Sequence, residues 1–168
     1  MPHIVVFNTN PAFTQIERII MMAGTIDEIL HQKRGELYTI SPEATVFDAI
    51  ELMADKNIGA LIVMSDHRLV GVVSERDYTR KVALKGKSSR DTRVREIVST
   101  PVISASPSHT IEQCMRLMTE NRVRHLPVLE RDEVVGIVSI GDLVNWIISA
   151  QSVTITQLES YISGQYPG

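Results

Sequence analysis

The chain has 168 residues, enough for one average domain or two small ones, which excludes a large multidomain enzyme. Hydrophobic residues make up 43% and charged residues 22%, globular proportions that exclude wholesale disorder and a fibrous rod. Seventeen Lys and Arg against twenty Asp and Glu leave a net charge of −3, so no long-range field draws the chain to nucleic acid or anionic lipid.

Residues 1–24 read as an N-terminal extension. Apolar patches at Ile4 to Phe7 and Ile19 to Ala23 lack the basic leader and single apolar block of a secretory signal. The first clear helical pattern follows Met21 and Met22. No run approaches the roughly 20 apolar residues of a membrane-spanning helix, so no membrane partner is expected. Cys114 is the single cysteine. It has no partner for an intramolecular disulfide, and with scattered histidines it makes no zinc pattern, which fits a reducing, cytoplasmic setting and no metal.

From Glu36 onward the chain repeats itself. Glu36 to Val82 lies over Pro101 to Ile147 at a constant offset of 65 residues, without a gap, with 12 identities in 47 positions. Among them are Ser41-Pro42 with Ser106-Pro107, Thr45 with Thr110, Leu52-Met53 with Leu117-Met118, Gly71 with Gly136, Ser74 with Ser139 and Asp77 with Asp142. The units are residues 25–90 and 91–150.

Each unit parses alike. A short extended segment (Leu37 to Ile40; Val102 to Ser104) meets Ser-Pro, where proline disfavours helix in the residue before it. Thr45 with Asp48, and Thr110 with Gln113, have capping-box spacing for the start of a helix. Val46, Ala49, Ile50 and Met53, matched by Ile111, Cys114, Met115 and Met118, form an apolar helical stripe, so Cys114 is core filling. Two β runs follow, Ala60 to Met64 with Arg68 to Ser74, and His125 to Leu129 with Glu133 to Ser139, each pair joined by a polar turn. A second helix then starts at Ser74 or Ser139. The fold class is α/β (α+β), built of two β-α-β-β-α repeats. The basic stretch Lys85 to Arg95 reads as a surface linker, and residues 151–168 as a tail with a further amphipathic helix through Ile155, Leu158 and Ile162.

Gly71-Val-Val-Ser-Glu-Arg-Asp77 and Gly136-Ile-Val-Ser-Ile-Gly-Asp142, with His125-Leu-Pro-Val128, resemble a tandem pair of CBS (cystathionine β-synthase-type) domains, a Bateman module. The likeness covers about Thr25 to Ile148 and is to the small stand-alone bacterial CBS-pair proteins. It implies a pseudo-twofold pair that binds adenine nucleotides, AMP foremost with NAD(H), ADP or ATP as alternatives, in clefts between the repeats. It also implies a disc-like homodimer and an unidentified regulated protein that reads ligand occupancy. Carried over by position, the Asp142 cleft would hold Ser139, Ile137, Leu37, Tyr38, Ile58 and Ala60, with Arg76 and Arg124 reaching the phosphates. The Asp77 cleft would hold Ser74, Val72, Val102, Ile103, Val123 and His125, with fewer cations, so the two sites are expected to be unequal.

The chemistry is consistent with that implication. A carboxylate has lone pairs for both hydroxyls of a ribose diol, and a serine at a helix start suits a phosphate. Ser-x-x-Asp is also plain capping-box spacing; its occurrence in both repeats favours the ligand reading. His125 reads equally as a ligand contact or as an interior histidine, and Arg76 as a phosphate contact or a solvated helix charge. No nucleophile with a base, paired carboxylates, metal cluster or Walker-type loop is present. A regulatory sensor, not an enzyme, is therefore expected; an enzyme acting on the bound nucleotide and a ligand-free dimeric scaffold are the alternatives.

Overall fold

The computed structural model describes residues 24–33 and 35–162, with side chains to residue 152 apart from residue 34. Residues 1–23 of the expected extension (1–24) and the end of the tail lie outside the described residues. In chain order the elements are α1 (Ile26–Lys33), β1 (Thr39–Ile40), α2 (Val46–Lys56), β2 (Ala60–Ser65), β3 (Arg68–Ser74), α3 (Glu75–Lys81), α4 (Ile111–Asn121), β4 (His125–Glu130), β5 (Glu133–Ser139) and α5 (Ile140–Ile162). Short 3₁₀ turns at Ala83–Lys85 and Val94–Glu96 occupy the linker.

Local chemistry sets these elements. Thr45 Oγ1 accepts from the Asp48 N–H at 3.1 Å while the Thr45 N–H donates to Asp48 Oδ2 at 2.9 Å, and Thr110 with Gln113 repeats the box. Both helices end on a left-handed residue, Asn57 and Arg122. Both hairpins turn through two residues of positive φ, Asp66-His67 and Arg131-Asp132, the primed geometry whose twist matches that of paired strands. Each hairpin also bulges at the same place, between Val63 and Met64 and between Val128 and Leu129.

The repeats differ in their first strand. β1 pairs in parallel with β2 and joins a three-stranded sheet, whereas the strand expected at Val102 to Ser104 is reduced to one bridge, Ala105 with Val128. Proline is the reason. The Ile62 N–H donates to Tyr38 O, but at the matching position Pro127 has no N–H to offer Ile103.

Each repeat carries its own core, and the segments ahead of them are exchanged. Ile26 and Ile29 of α1 lie buried with Ile111, Cys114, Met118, Leu126 and Val138 of the second repeat. Val94 and Ile97, from the linker, lie buried with Val46, Met53, Leu61 and Val73 of the first. Packing thus cuts across the boundaries at residues 25, 90 and 91. The backbone bonds match: Ile26 N–H to His109 O and Asp27 N–H to Pro107 O, against Val94 N–H to Ala44 O and Arg95 N–H to Pro42 O. These segments correspond at an offset of 68, three more than the strands and helices that follow.

That exchange accounts for Gly71 and Gly136, which otherwise read as crowding within the sheet. A Cβ on Gly136 would sit 2.6 Å from Leu30 Cδ2, and one on Gly71 would collide with Val98 Cγ2. Leu30 and Val98 are equivalents at the offset of 68. The tail differs from expectation too: α5 continues unbroken to Ile162 rather than giving way to a separate helix. No described helix is long and apolar enough to cross a membrane.

Candidate ligand-binding site

A cavity of about 470 Å³ opens in the seam between the repeats, within the range of small-molecule sites. Its lining comes from both halves: Leu30 and Lys33 of α1, Gly35 to Tyr38 ahead of β1, Asn57 to Gly59 between α2 and β2, Ala60 of β2, His125 of β4, Val135 to Ile137 and Ser139 of β5, and Asp142 of α5. Leu37, Ile58, Ala60 and Ile137 make up an apolar part of this lining.

Asp142 is placed by its capping box. The Ser139 N–H donates to Asp142 Oδ2 at 2.7 Å, and the Asp142 N–H donates to Ser139 Oγ at 3.2 Å. Lys33 reaches across from the exchanged helix, donating to the same Oδ2 at 2.8 Å and to Ile137 O at 3.2 Å. Among the described residues every hydrogen bond to this carboxylate falls on Oδ2, and Oδ1 accepts none. Burial works to raise the Asp142 pKa, but hydrogen bonds from Lys33 and Ser139 and the Lys33 charge outweigh it and hold the carboxyl below its ordinary value.

Asp77 is the counterpart and its situation is the opposite. Its Oδ2 accepts from the Ser74 N–H at 3.0 Å and from Ser74 Oγ at 2.8 Å. Its Oδ1 accepts from Ser99 Oγ at 3.0 Å and pairs with Lys81 Nζ at 2.8 Å. Four donors fill the lone pairs of one carboxylate. The Ser99 N–H in turn donates to Val72 O at 3.2 Å, so the Val98-Ser99 segment lies along β3 and closes over Asp77. Burial raises this pKa also, and Lys81, Ser74 and Ser99 together bring it below the ordinary carboxylate value.

Of the residues assigned to the Asp142 cleft, Leu37, Tyr38, Ile58, Ala60, Ile137, Ser139 and Asp142 line this one cavity. Arg76 and Arg124 do not. They face a shallower depression of about 220 Å³ beside α3, with Arg122 and Val123, which among the residues assigned to the Asp77 cleft takes in Val123 alone. The reason is that Arg76 leaves α3 on the side of the Arg122 turn, where its Nη1 donates to Arg122 O at 3.4 Å. Of the residues assigned to the Asp77 cleft, Asp77, Ser74 and Val72 come together around Ser99. Ile103 and Val123 pack against the core of the second repeat, Val102 is half-buried, and His125 lines the Asp142 cavity instead.

Burial and the Lys33 charge push the His125 pKa below 6.5, with Asp142 opposing and Arg124 assisting. The ring is therefore neutral at physiological pH. Because the unfolded chain takes up this proton more readily, the stability that the neutral ring contributes is complete above pH 6.5 and is lost as pH falls below it through the depressed value. Stability from urea unfolding at pH 7.5 and 5.5 is expected to fall more in the wild type than in His125→Gln. Cys114 is fully buried, which pushes its thiol up to about 11, an inert core side chain as its stripe position predicts.

Sequence reasoning missed Lys33, Glu36, Leu30 and Asn57. The missed signal lay in the apolar spacing Ile26, Ile29, Leu30, which recurs at Val94, Ile97, Val98 but out of step with the 65-residue repeat.

The geometry and the repeat agree with comparison to known proteins. The family model described as CBS domain matches residues 26–84 and 94–149. The chain belongs to the CBS-domain family. The mitochondrial CBS domain-containing protein CBSX3 of Arabidopsis thaliana is 33% identical over 168 residues, covering 95% of this chain and 81% of its own. A candidate signal-transduction protein with CBS domains from Burkholderia ambifaria is 46% identical, covers 75% of this chain and 95% of its own, and superposes with a TM-score of 0.71. A CBS domain pair solved with 5′-methylthioadenosine and S-adenosyl-L-methionine shares the fold at a TM-score of 0.64 and 22% identity, over 73% of this chain and 94% of its own. The chain is thus a CBS pair in sequence and in fold.

Proposed function

We propose that this CBS pair is a regulatory module that binds an adenosine-containing ligand in the Asp142 cavity and passes its occupancy to a partner protein. One observation carries the reading. Among the described residues Asp142 has a carboxylate oxygen that accepts no hydrogen bond, in a cavity of about 470 Å³ with the apolar residues Leu37, Ile58, Ala60 and Ile137 in its lining, an arrangement that suits a ribose diol and an adenine ring. The CBS pair solved with two adenosine-containing molecules supports the ligand class. AMP, NAD(H), ADP and ATP are members of that class. They differ at the 5′ end, where charge discriminates among them. Among the described residues no group of metal-ligating side chains occurs.

The saturated Asp77 carboxylate supports one ligand per chain rather than two. Isothermal titration of the full-length protein with adenosine-type ligands is expected to give a stoichiometry near one per chain. Two equal sites would refute the assignment of binding to Asp142 alone. Mass spectrometry of small molecules released from the purified protein tests the class itself, which fails if nothing containing adenosine is recovered and none binds on titration. The homodimer belongs to the same proposal; sedimentation equilibrium of the full chain checks it, and a monomer at all concentrations refutes it.

A ligand regulates only through its differential affinity for two arrangements. Lys33 supplies a physical route for that difference. It ties α1 to Asp142 and Ile137 O, so a ribose competing for the carboxylate acts directly on the helix ahead of the first repeat.

A further inference from the structure

We propose that α5 carries a seam for a second copy of this chain, closed as a parallel two-stranded coiled coil through Val144, Ile148, Ile155, Leu158 and Ile162. The seam rests on the homodimer proposed above and names the surface that holds it. Its last three residues belong to the tail, and the family match ends at residue 149, so the greater part of the seam lies beyond the two repeats. α5 runs without a break from Ile140 to Ile162. Val144 and Ile148 begin the stripe and are 41% and 55% exposed. Leu143, about 100° round the helix from Val144, is fully buried in the core of the second repeat. Core and stripe thus occupy different sides of one helix.

The spacing specifies the partner. From Val144 the steps to Ile148, Gln151, Ile155, Leu158 and Ile162 are four, three, four, three and four residues, the narrow heptad seam of a coiled coil rather than the broader face that packs on a domain. Ile148, Ile155 and Ile162 fall at a and Leu158 at d, the combination that favours two parallel strands. Gln151, exposed, is the one polar residue in the series, and a single polar layer fixes register at a cost in stability. The flanking e and g positions choose partners by charge. From Val144 onward they hold one charged residue, Glu159, so no charge pattern favours a different chain over an identical one.

The repeat itself does not require the stripe. In the first repeat the equivalents of Val144 and Ile148 are Thr79 and Ala83, and there the helix ends at Lys81. α5 instead continues through Ser149, Ser152, Val153, Thr154, Ile155 and Thr156, hydroxyl and β-branched residues of low helix propensity. Ser149 Oγ and Ser152 Oγ donate back to Asn145 O and Ile148 O at 2.9 and 3.0 Å. A helix of such composition draws its stability from packing, which a second α5 supplies. Asp142 stands in the first turn of the same helix, so cavity and seam share one continuous element.

Sedimentation equilibrium of the full chain tests the seam, with Ile155→Glu against the wild type. Residue 155 lies outside the matched repeats, and thermal unfolding checks that the variant keeps its fold. The new charge, set against its own copy in an apolar layer, is expected to raise the dimer dissociation constant about tenfold or more. An unchanged constant overturns the seam and leaves a homodimer through the repeats in place. A wild-type chain that is monomeric at all concentrations overturns both. Oxidative crosslinking tests the parallel pairing. Leu158→Cys, at a d position, is expected to give a covalent dimer. Ser160→Cys, at the outer f position, is expected to give none, like the wild type, whose single cysteine Cys114 is fully buried. Equal crosslinking of the two variants, or of neither, overturns the parallel coil.

Discussion

Asp142→Asn is expected to weaken binding of adenosine-type ligands by tenfold or more while the protein stays folded, whereas Asp77→Asn is expected to leave affinity unchanged and lower stability. The two residues share a motif and a capping position, so the contrast comes entirely from what surrounds each carboxylate. At Asp142 an asparagine oxygen can still accept from the N–H of Ser139, as the third side chain of a capping box does, and the exposed Lys33 can return to water. What is lost is the negative charge facing the ribose, and a hydrogen bond to a charged group is worth roughly 1.5–3 kcal/mol; about 1.4 kcal/mol is tenfold in affinity. At Asp77 the four donors from Ser74, Ser99 and Lys81 would meet one acceptor oxygen and an amide that itself donates. Leaving donors unpaired in a half-buried site costs about 1–3 kcal/mol, or roughly 2–12 °C in Tm for a chain of this size. Calorimetric titration and thermal unfolding of the two variants check this. Equal losses of affinity would mean that both clefts bind.

The contrast also marks what sequence reading could and could not reach. The paired motifs were visible because capping boxes and two-residue hairpins are local, decided within four residues of chain. Thr45 with Asp48 and Ser139 with Asp142 needed no knowledge of the fold. The gathering of Leu37, Tyr38, Ile58 and Ala60 opposite Ile137 and Asp142 was reached only through the family resemblance, since pairing across the seam is a tertiary fact. Arg76 and Arg124 lie at the smaller depression because a long side chain at the edge of a cleft can turn to either side, and spacing does not tell which. Lys33 escaped because the repeat changes its offset from 65 to 68 at the segment that carries it. The lost first strand of the second repeat was open to reading all along: Pro127 stands in the middle of a strand whose neighbour needs an N–H there.

Ile26→Ala is expected to destabilise the protein by about 2–5 kcal/mol, the usual cost of deleting a fully buried isoleucine side chain to alanine. The size of the effect depends on the exchange of segments. Ile26 precedes the first repeat in the chain, yet it is 0% exposed and lies among Ile111, Cys114, Leu126 and Leu143 of the second, where its loss opens a cavity that neighbouring strands cannot close without breaking their hairpin register. The matching change Val94→Ala, at the equivalent position against the first repeat, should cost less because fewer methyl groups are removed. If α1 instead served only the first repeat, or lay on the surface, Ile26→Ala would fall within about 0.5 kcal/mol of wild type. Urea unfolding separates these outcomes, and hydrogen exchange adds where the damage falls: protection in the wake of Ile26→Ala should drop first at β4, β5 and α4. The same variant bears on function, since Ile26 and Lys33 are on one helix. Loosening α1 from the second repeat removes the anchor that holds Lys33 at Asp142, so ligand affinity should change in Ile26→Ala although residue 26 does not line the cavity, and should stay as it was in Val94→Ala.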